Sequence, residues 1–354
     1  SSATAPWVRI EIDRRGLYVI TGNDLEALGL TPALIDLSRL RLFTAGPEEL
    51  PESLLVEEAP AWMDPVALYV QDDGDGLWDD ATRIYFLGQG PDGWRDDLGL
   101  APMAADAYYV HPYSQARHYW LTWGGSFSTE PLWVEEREAL PEGLPLRTRA
   151  RARIHFEKNQ LYDARPRLSA KIWERFFWLD LTGLPSVIDL TVPGPATGGR
   201  LAPRVAAWGK NTRYDAWPDP HHVLIVRADG DSLGTVAWDR YDRGIFSDTV
   251  SVGSERLRIG LEIPERRNGF GEILRDGSYL AWIEAEYDRS LQLESDSLAF
   301  MVRADTAAAF DYRIAGLDRD DGWGLFDVSD MRAPVRLLPQ ITEAGSGYAA
   351  DIHV

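Results

Sequence analysis

Cysteine is absent from all 354 residues. That removes disulfides, thiolate metal sites and a cysteine nucleophile together. An extracellular protein without disulfides has to be held by its core, with metal as the one available staple. Long apolar runs are missing too: none approaches the ~20 residues a membrane helix requires. No signal-peptide pattern opens the chain. It begins Ser1-Ser2-Ala3-Thr4-Ala5, which reads as a flexible mature N-terminus after processing. Positive charge is in short supply, with 36 Lys and Arg against 56 Asp and Glu and a net charge of −20. A chain this acidic is repelled by phosphate backbones and anionic lipid, so nucleic acid is not expected as a partner.

Catalytic signatures are lacking as well. There is no GxSxG elbow, no triad order and no P-loop, and Gly269-Phe270-Gly271 is a turn with no helix after it to make a phosphate cradle. Carboxylates are so common that any glycosidase-type pair chosen by eye would be arbitrary. The six histidines form no metal-ligand spacing. His221 and His222 are adjacent at the head of a strand, where neighbouring side chains point to opposite faces, and they read as structural.

What is plentiful points to sheets. Fourteen Trp, fourteen Tyr, 31 Gly and 22 Pro describe flat side chains packed on pleated surfaces and joined by many turns. Trp7 to Ile12 and Gly16 to Ile20 alternate and read as a hairpin turning at Asp13-Arg14-Arg15. Thr21 or Asn23 is placed to cap a short helix ending at Gly29. The Pro- and Gly-containing stretch 140–146 marks a boundary. Beyond it Arg149 to Phe156 alternates strictly, and nine further short strands follow, punctuated by turns such as Ala228-Asp229-Gly230-Asp231. The expectation is an all-β protein with minor helix: an N-terminal β-rich domain over 1–146, an antiparallel β-sandwich of jelly-roll type over 147–305, and a short C-terminal β module over 306–354. The last is too small to be stable alone.

One stretch concentrates a single chemistry. In Val70 to Gly90, VQDDGDGLWDDATRIYFLGQG, two strands flank a loop crowded with Asp72, Asp73, Asp75, Asp79 and Asp80. Asp73, Asp75 and Asp79, with Asp80 and the main-chain carbonyl of Leu77, are the metal ligands expected of a Ca²⁺ loop, because calcium is a hard ion that takes six to eight oxygens. The match to an EF-hand is partial: Ile84 stands at the twelfth position and Trp78 where that motif has Gly. The alternative is an Asp-rich turn whose carboxylates cap backbone N–H groups. A second set of candidates is aromatic. Trp208, Tyr214 and Trp217 lie in or beside a loop-rich stretch with Pro218 and Pro220, where exposed rings can stack on sugars; packing at an interface is the competing reading.

Several of these pieces, in this order, resemble the non-catalytic N-terminal region of gingipain-type cysteine peptidases, the PorU-like sortases of type IX secretion above all. WVRIEIDRRGLYVITGNDLEALGL (7–30) resembles the family's opening aromatic-led strand, G-hydrophobic-Tyr hairpin and D-L-x-x-x-G helix. LRLFTAG (40–46), DGDGLWDDATRIYFLGQGPDGW (73–94), HPYSQARHYWLTW (111–123), RARIHFEKNQLYDARPRLSAKIWERFFW (151–178), SYLAWIEAEYDRSL (278–291) and GWGLFDVSDMRAPVRL (322–337) are similar to later family elements. Arg175, Phe326 and Ser329 stand where Gly, Trp and Thr are usual. The resemblance implies a bacterial, secreted or outer-membrane cell-surface location. It also implies that the catalytic Cys and His belong to a caspase-like domain C-terminal to this region, so no catalytic residue carries over and the chain itself is not expected to be an enzyme. The expected role is to position that peptidase domain, a substrate or a protein partner. A carbohydrate-binding or adhesive surface module, with glycan as partner, is the alternative.

Overall fold

The computed structural model describes residues 5–46, 63–101, 103, 106–127, 129–163, 175–210, 220–274, 276–295, 297–302, 310–321 and 323–354. Strands take 51% of the described residues and helix 4%, so the class is all-β. The chain divides into two compact units and passes between them more than once. One comprises Ser1–Ala139 and Gly322–Pro339, the other Leu140–Asp321 and Gln340–Val354.

In the first unit two small antiparallel sheets share one core. Strands Trp7–Ile12, Arg117–Thr122, Arg41–Thr44 and Asp64–Val66 form one sheet in that order; Gly16–Thr21, Arg83–Gly88 and Leu68–Gln71 form the other. Alternation explains the arrangement. Ile12, Leu42, Val66 and Leu121 from the first sheet meet Ile20, Leu68, Ile84 and Phe86 from the second in a single apolar cluster. The expected hairpin of Trp7–Ile12 with Gly16–Thr21 does not form. The first pairs with Arg117–Thr122 and the second with Arg83–Gly88, so Asp13-Arg14-Arg15 carries the chain from one sheet to the other. Alternation alone cannot tell a paired hairpin from a change of layer, since both bury every second residue. Thr21 caps the Gly22–Glu26 helix. Its hydroxyl accepts from the Asp24 N–H while Asp24 Oδ2 accepts from the Thr21 N–H at 2.8 Å, a reciprocal capping box.

The second unit is built on an eight-stranded sandwich. Numbered in chain order, its strands are Arg149–Glu157, Ser186–Thr191, Arg200–Gly209, His222–Ala228, Asp231–Trp238, Arg243–Ser247, Arg256–Glu262 and Ser278–Ser290. One sheet runs first-eighth-third-sixth and the other second-seventh-fourth-fifth, with antiparallel pairing throughout. That double wrapping is a jelly roll. Leu201, Val205, Ile283 and Tyr287 of one sheet pack on Leu190, Leu224, Val226 and Ile259 of the other. The 13-residue Ser278–Ser290 strand is buried along most of its length, as befits a central strand covered on both faces.

The last residues do not form a module of their own. Gly322–Pro339 belongs to the first unit, where Val335–Leu338 pairs in parallel with Glu135–Glu138 and antiparallel with Leu325–Asp327. Asp311–Leu317, Gly347–His353 and Gln340–Ala344 form a sheet of the second unit, extended by Leu146–Arg147. Segments this short bury their apolar faces only by joining larger cores. The second unit begins at Leu140, and neither unit begins or ends at 305–306.

Candidate functional site

The acidic loop sits in the first unit between Leu68–Gln71 and Arg83–Gly88, which pair from Leu68↔Phe86 to Gln71↔Arg83. Its tip needs two glycines. Gly74 and Gly76 lie at φ +93° and +73°, in the left-handed region that side chains avoid. Between these turns the carboxylates fold back on the main chain. Asp75 Oδ1 accepts from the Leu77 N–H at 2.8 Å, and Asp73 Oδ1 accepts from the Asp75 N–H at 3.3 Å. Asp79 Oδ1 accepts from the N–H groups of Ala81 (2.8 Å) and Thr82 (3.2 Å).

Two residues that carry no metal chemistry fix this loop. Trp78 is 1% exposed and lies in the core of the first unit, so the loop is pinned through its middle. Thr82 is fully buried; its hydroxyl donates to the Leu77 carbonyl at 2.9 Å and lies 3.1 Å from Asp79 Oδ1. Sequence reasoning missed Thr82. The signal available was its place three residues after Asp79, the spacing at which a side-chain oxygen closes a turn.

The outcome is a triad. Ligand oxygens of Asp73, Asp75 and Asp79 all lie within 4.8 Å of one another, and all three residues are exposed. Two oxygens bound to one Ca²⁺ at about 2.4 Å each can be no more than about 4.8 Å apart, so this spacing suits a shared cation. Among the described residues no ion pair engages Asp73, Asp75 or Asp79, so none of them supplies that cation. The Ala81 N–H above all, joined by the Thr82 hydroxyl and N–H, holds the Asp79 carboxyl below the usual carboxylate range against the opposing effect of desolvation. It is charged at neutral pH. Asp80 is not part of the triad. Its main-chain carbonyl accepts from the Arg83 guanidinium at 2.6 Å. Leu77 is exposed as a side chain, and its carbonyl, the expected fifth ligand, already accepts from Thr82.

The aromatic candidates separate. Trp208 is in the third strand of the jelly roll, 2% exposed, packed with Phe177, Ala206 and Trp282, and the Arg243 guanidinium lies over its ring at 5.4 Å. A ring so enclosed has no face to offer a sugar, which corrects its reading as a ligand-binding residue. The alternating strand buries it where the sequence suggested a loop edge. Tyr214 and Trp217 lie outside the described residues.

The histidines go to separate partners. His221 Nδ1 meets Asp239 at 2.7 Å, whereas His222, fully buried, meets Asp276 Oδ1 at 2.7 Å through Nδ1 and the Arg240 carbonyl through Nε2. Arg266 completes that buried cluster at 3.3 Å from Asp276 Oδ2. A second buried cluster places His155 between Glu284 (3.2 Å) and Glu157 (3.0 Å), with Arg204 at 2.7 Å from Glu284. Their central carboxylates, Asp276 and Glu284, are almost fully buried.

No protein-family model matches this chain, and no curated protein matches it. Among solved structures it is similar to dimeric latent PorU from Porphyromonas gingivalis, with a TM-score of 0.68 over 99% of this chain at 15% identity. The chain spans 30% of that PorU chain. The fold is therefore PorU-like. It also matches the CBM36-1 domain of a multidomain xylanase from the hindgut metagenome of Trinervitermes trinervoides, at TM-score 0.26 and 12% identity over 38% of this chain and 96% of that one. A family 35 carbohydrate binding module from Clostridium thermocellum matches at TM-score 0.20 and 8% identity, over 39% of this chain and 90% of that one. At those scores neither carries an argument about function. Among the described residues no helix is long and apolar enough to cross a membrane.

Proposed function

We propose that this chain is the non-catalytic N-terminal region of a secreted or cell-surface, gingipain-type cysteine peptidase of the PorU kind, and that it positions the peptidase domain, its substrate or a protein partner. The observation that carries this reading is the likeness to PorU along 99% of the chain, which matches under a third of that protein. The cysteine-free sequence agrees with it, because a cysteine peptidase must then keep its nucleophile elsewhere. Within this reading the Asp73–Asp75–Asp79 triad binds one Ca²⁺. The ion supplies the charge that the loop lacks and ties the tip to the strands that Trp78 anchors. Asp73, Asp75 and Asp79 would hold it, with the Leu77 carbonyl as a further oxygen.

The test has two parts. The reading frame downstream of Val354 is expected to encode a domain with paired Cys and His. That domain, produced separately, is expected to bind the purified chain, while the chain alone hydrolyses no peptide substrate. A frame without such a domain, or a peptidase domain that ignores the chain at high concentration, overturns the proposal.

A further inference from the structure

The connection between the seventh and eighth strands of the jelly roll carries the one Asn-Gly pair in the chain. There Arg266–Arg267 and Ile273–Leu274 pair antiparallel, and the turn between them reads Asn268-Gly269-Phe270-Gly271-Glu272. Two backbone bonds close it. The Gly271 N–H donates to the Asn268 carbonyl at 2.9 Å, and the Asn268 N–H donates to the Glu272 carbonyl at 3.0 Å. Every residue from Gly269 to Ile273 is exposed.

The Asn268 side chain is folded over the peptide that follows it. Its Oδ1 accepts from the Phe270 N–H at 2.9 Å and from the Glu272 N–H at 3.0 Å, and its Nδ2 donates to Glu272 Oε2 at 2.8 Å. The two N–H groups draw electrons from the side-chain carbonyl and stand where an oxyanion would form at Oδ1. The next backbone nitrogen is unencumbered. The Gly269 N–H has no hydrogen-bond partner among the described residues, and no side chain shields it; a Cβ built there would meet nothing within 4 Å. An activated carbonyl carbon and a free nitrogen are thus tethered so that their bonding closes a five-membered ring.

We propose that Asn268 is a site of spontaneous covalent modification. The Gly269 nitrogen gives up its proton and bonds to Asn268 Cγ. The Cγ–Nδ2 bond then breaks, and Nδ2 takes up a proton and leaves as ammonia. Water opens the cyclic imide at either carbonyl, giving aspartate or isoaspartate. Nothing is oxidised or reduced, and water is the only other reactant. The other asparagines, Asn23, Asn159 and Asn211, precede Asp, Gln and Thr, whose side chains hinder the attacking nitrogen. Asp-Gly pairs such as Asp73-Gly74 present the same nitrogen to a carboxylate, which is ionised at neutral pH and resists attack. The products loosen the turn. In aspartate an oxygen replaces Nδ2 beside Glu272, so a hydrogen bond becomes a like-charge contact. In isoaspartate the backbone is one carbon longer, and the turn no longer closes in register. The inference stands independently of the proposed function.

The test ages the whole chain in neutral buffer and maps its peptides by mass. Conversion is expected at Asn268 well ahead of the other asparagines, with isoaspartate detected by enzymatic methylation. The rate should rise with pH, because the attacking nitrogen must lose its proton. Gly269→Ala, which the open space around that position tolerates, should slow conversion about tenfold or more. Asn268→Asp should speed hydrogen exchange of the amides from Phe270 to Glu272 several-fold over the fresh parent. An aged chain unmodified at Asn268, conversion no faster there than at the other asparagines, or a Gly269→Ala chain that ages like the parent overturns the inference. Equal exchange in Asn268→Asp and the parent overturns the loosening.

Discussion

The acidic loop of the first unit and the buried charges of the jelly roll treat carboxylates in opposite ways. In the loop, Asp73, Asp75 and Asp79 crowd together at the surface and meet backbone N–H groups but no cation. In the sandwich, Asp276 and Glu284 are almost fully buried, and each meets an arginine and a histidine. A buried carboxylate without such partners would neutralise or unfold its surroundings, so the sandwich had to supply cations from its own strands. The loop, standing in water, had no such obligation. Three like charges within 4.8 Å repel nonetheless, and the external cation proposed above would relieve them. Sequence crowding alone does not separate structural carboxylates from ligands; the provision of a neighbouring cation does.

The largest expected effect breaks the internally paired side. Asp276→Ala strands His222, Arg266 and the Val223 N–H in the interior and should cost about 3–5 kcal/mol, read as a lowered denaturant midpoint. A variant that melts like the parent would mean that the cluster contributes nothing. Next is Thr82→Val, which keeps the side-chain volume and deletes the hydroxyl that ties Leu77 to Asp79. It should cost about 1–2 kcal/mol and weaken the response to calcium; unaltered calcium binding would show that the triad does not depend on this tie.

The smallest effect is in pH. Burial pushes His155 down, but the hydrogen bonds and charges of Glu157 and Glu284 outweigh it, and the net shift is upward. A raised folded pKa means that the stability from protonated His155 is fully present below its unfolded value of about 6.5 and is lost as pH rises through the raised value. Unfolding measured across that window should show falling stability with rising pH, and His155→Gln should flatten the slope. An equal slope in both proteins would assign it to other groups.

Much of the fold was legible because alternation and turn spacing are local. The strict RARARIHF pattern of Arg149 to Phe156 becomes the first jelly-roll strand, and the loop's flanking strands pair as their sequence implies. Pairing across distance was not legible. WVRIEI and GLYVIT bury alternate residues whether they pair with each other or lie in facing sheets, and only the partners at Arg117–Thr122 and Arg83–Gly88 decide. The final 49 residues misled for the same reason, since their strands join two different units. At the site, the carboxylates were readable as a group; oxygens of Asp73, Asp75 and Asp79 converge, and Asp80 is not among them. Trp208 failed because aromatic residues near prolines look alike whether they end in a core or on a surface.

The most direct measurement is the thermal midpoint of the whole chain with calcium and with chelator, in parallel with Asp75→Asn and Asp79→Asn. Calcium should raise the parent's midpoint by several degrees in proportion to the logarithm of its concentration, magnesium should do less, and both variants should lose the response. A parent whose melt is the same in calcium and in chelator would contradict the need for an external cation in the loop.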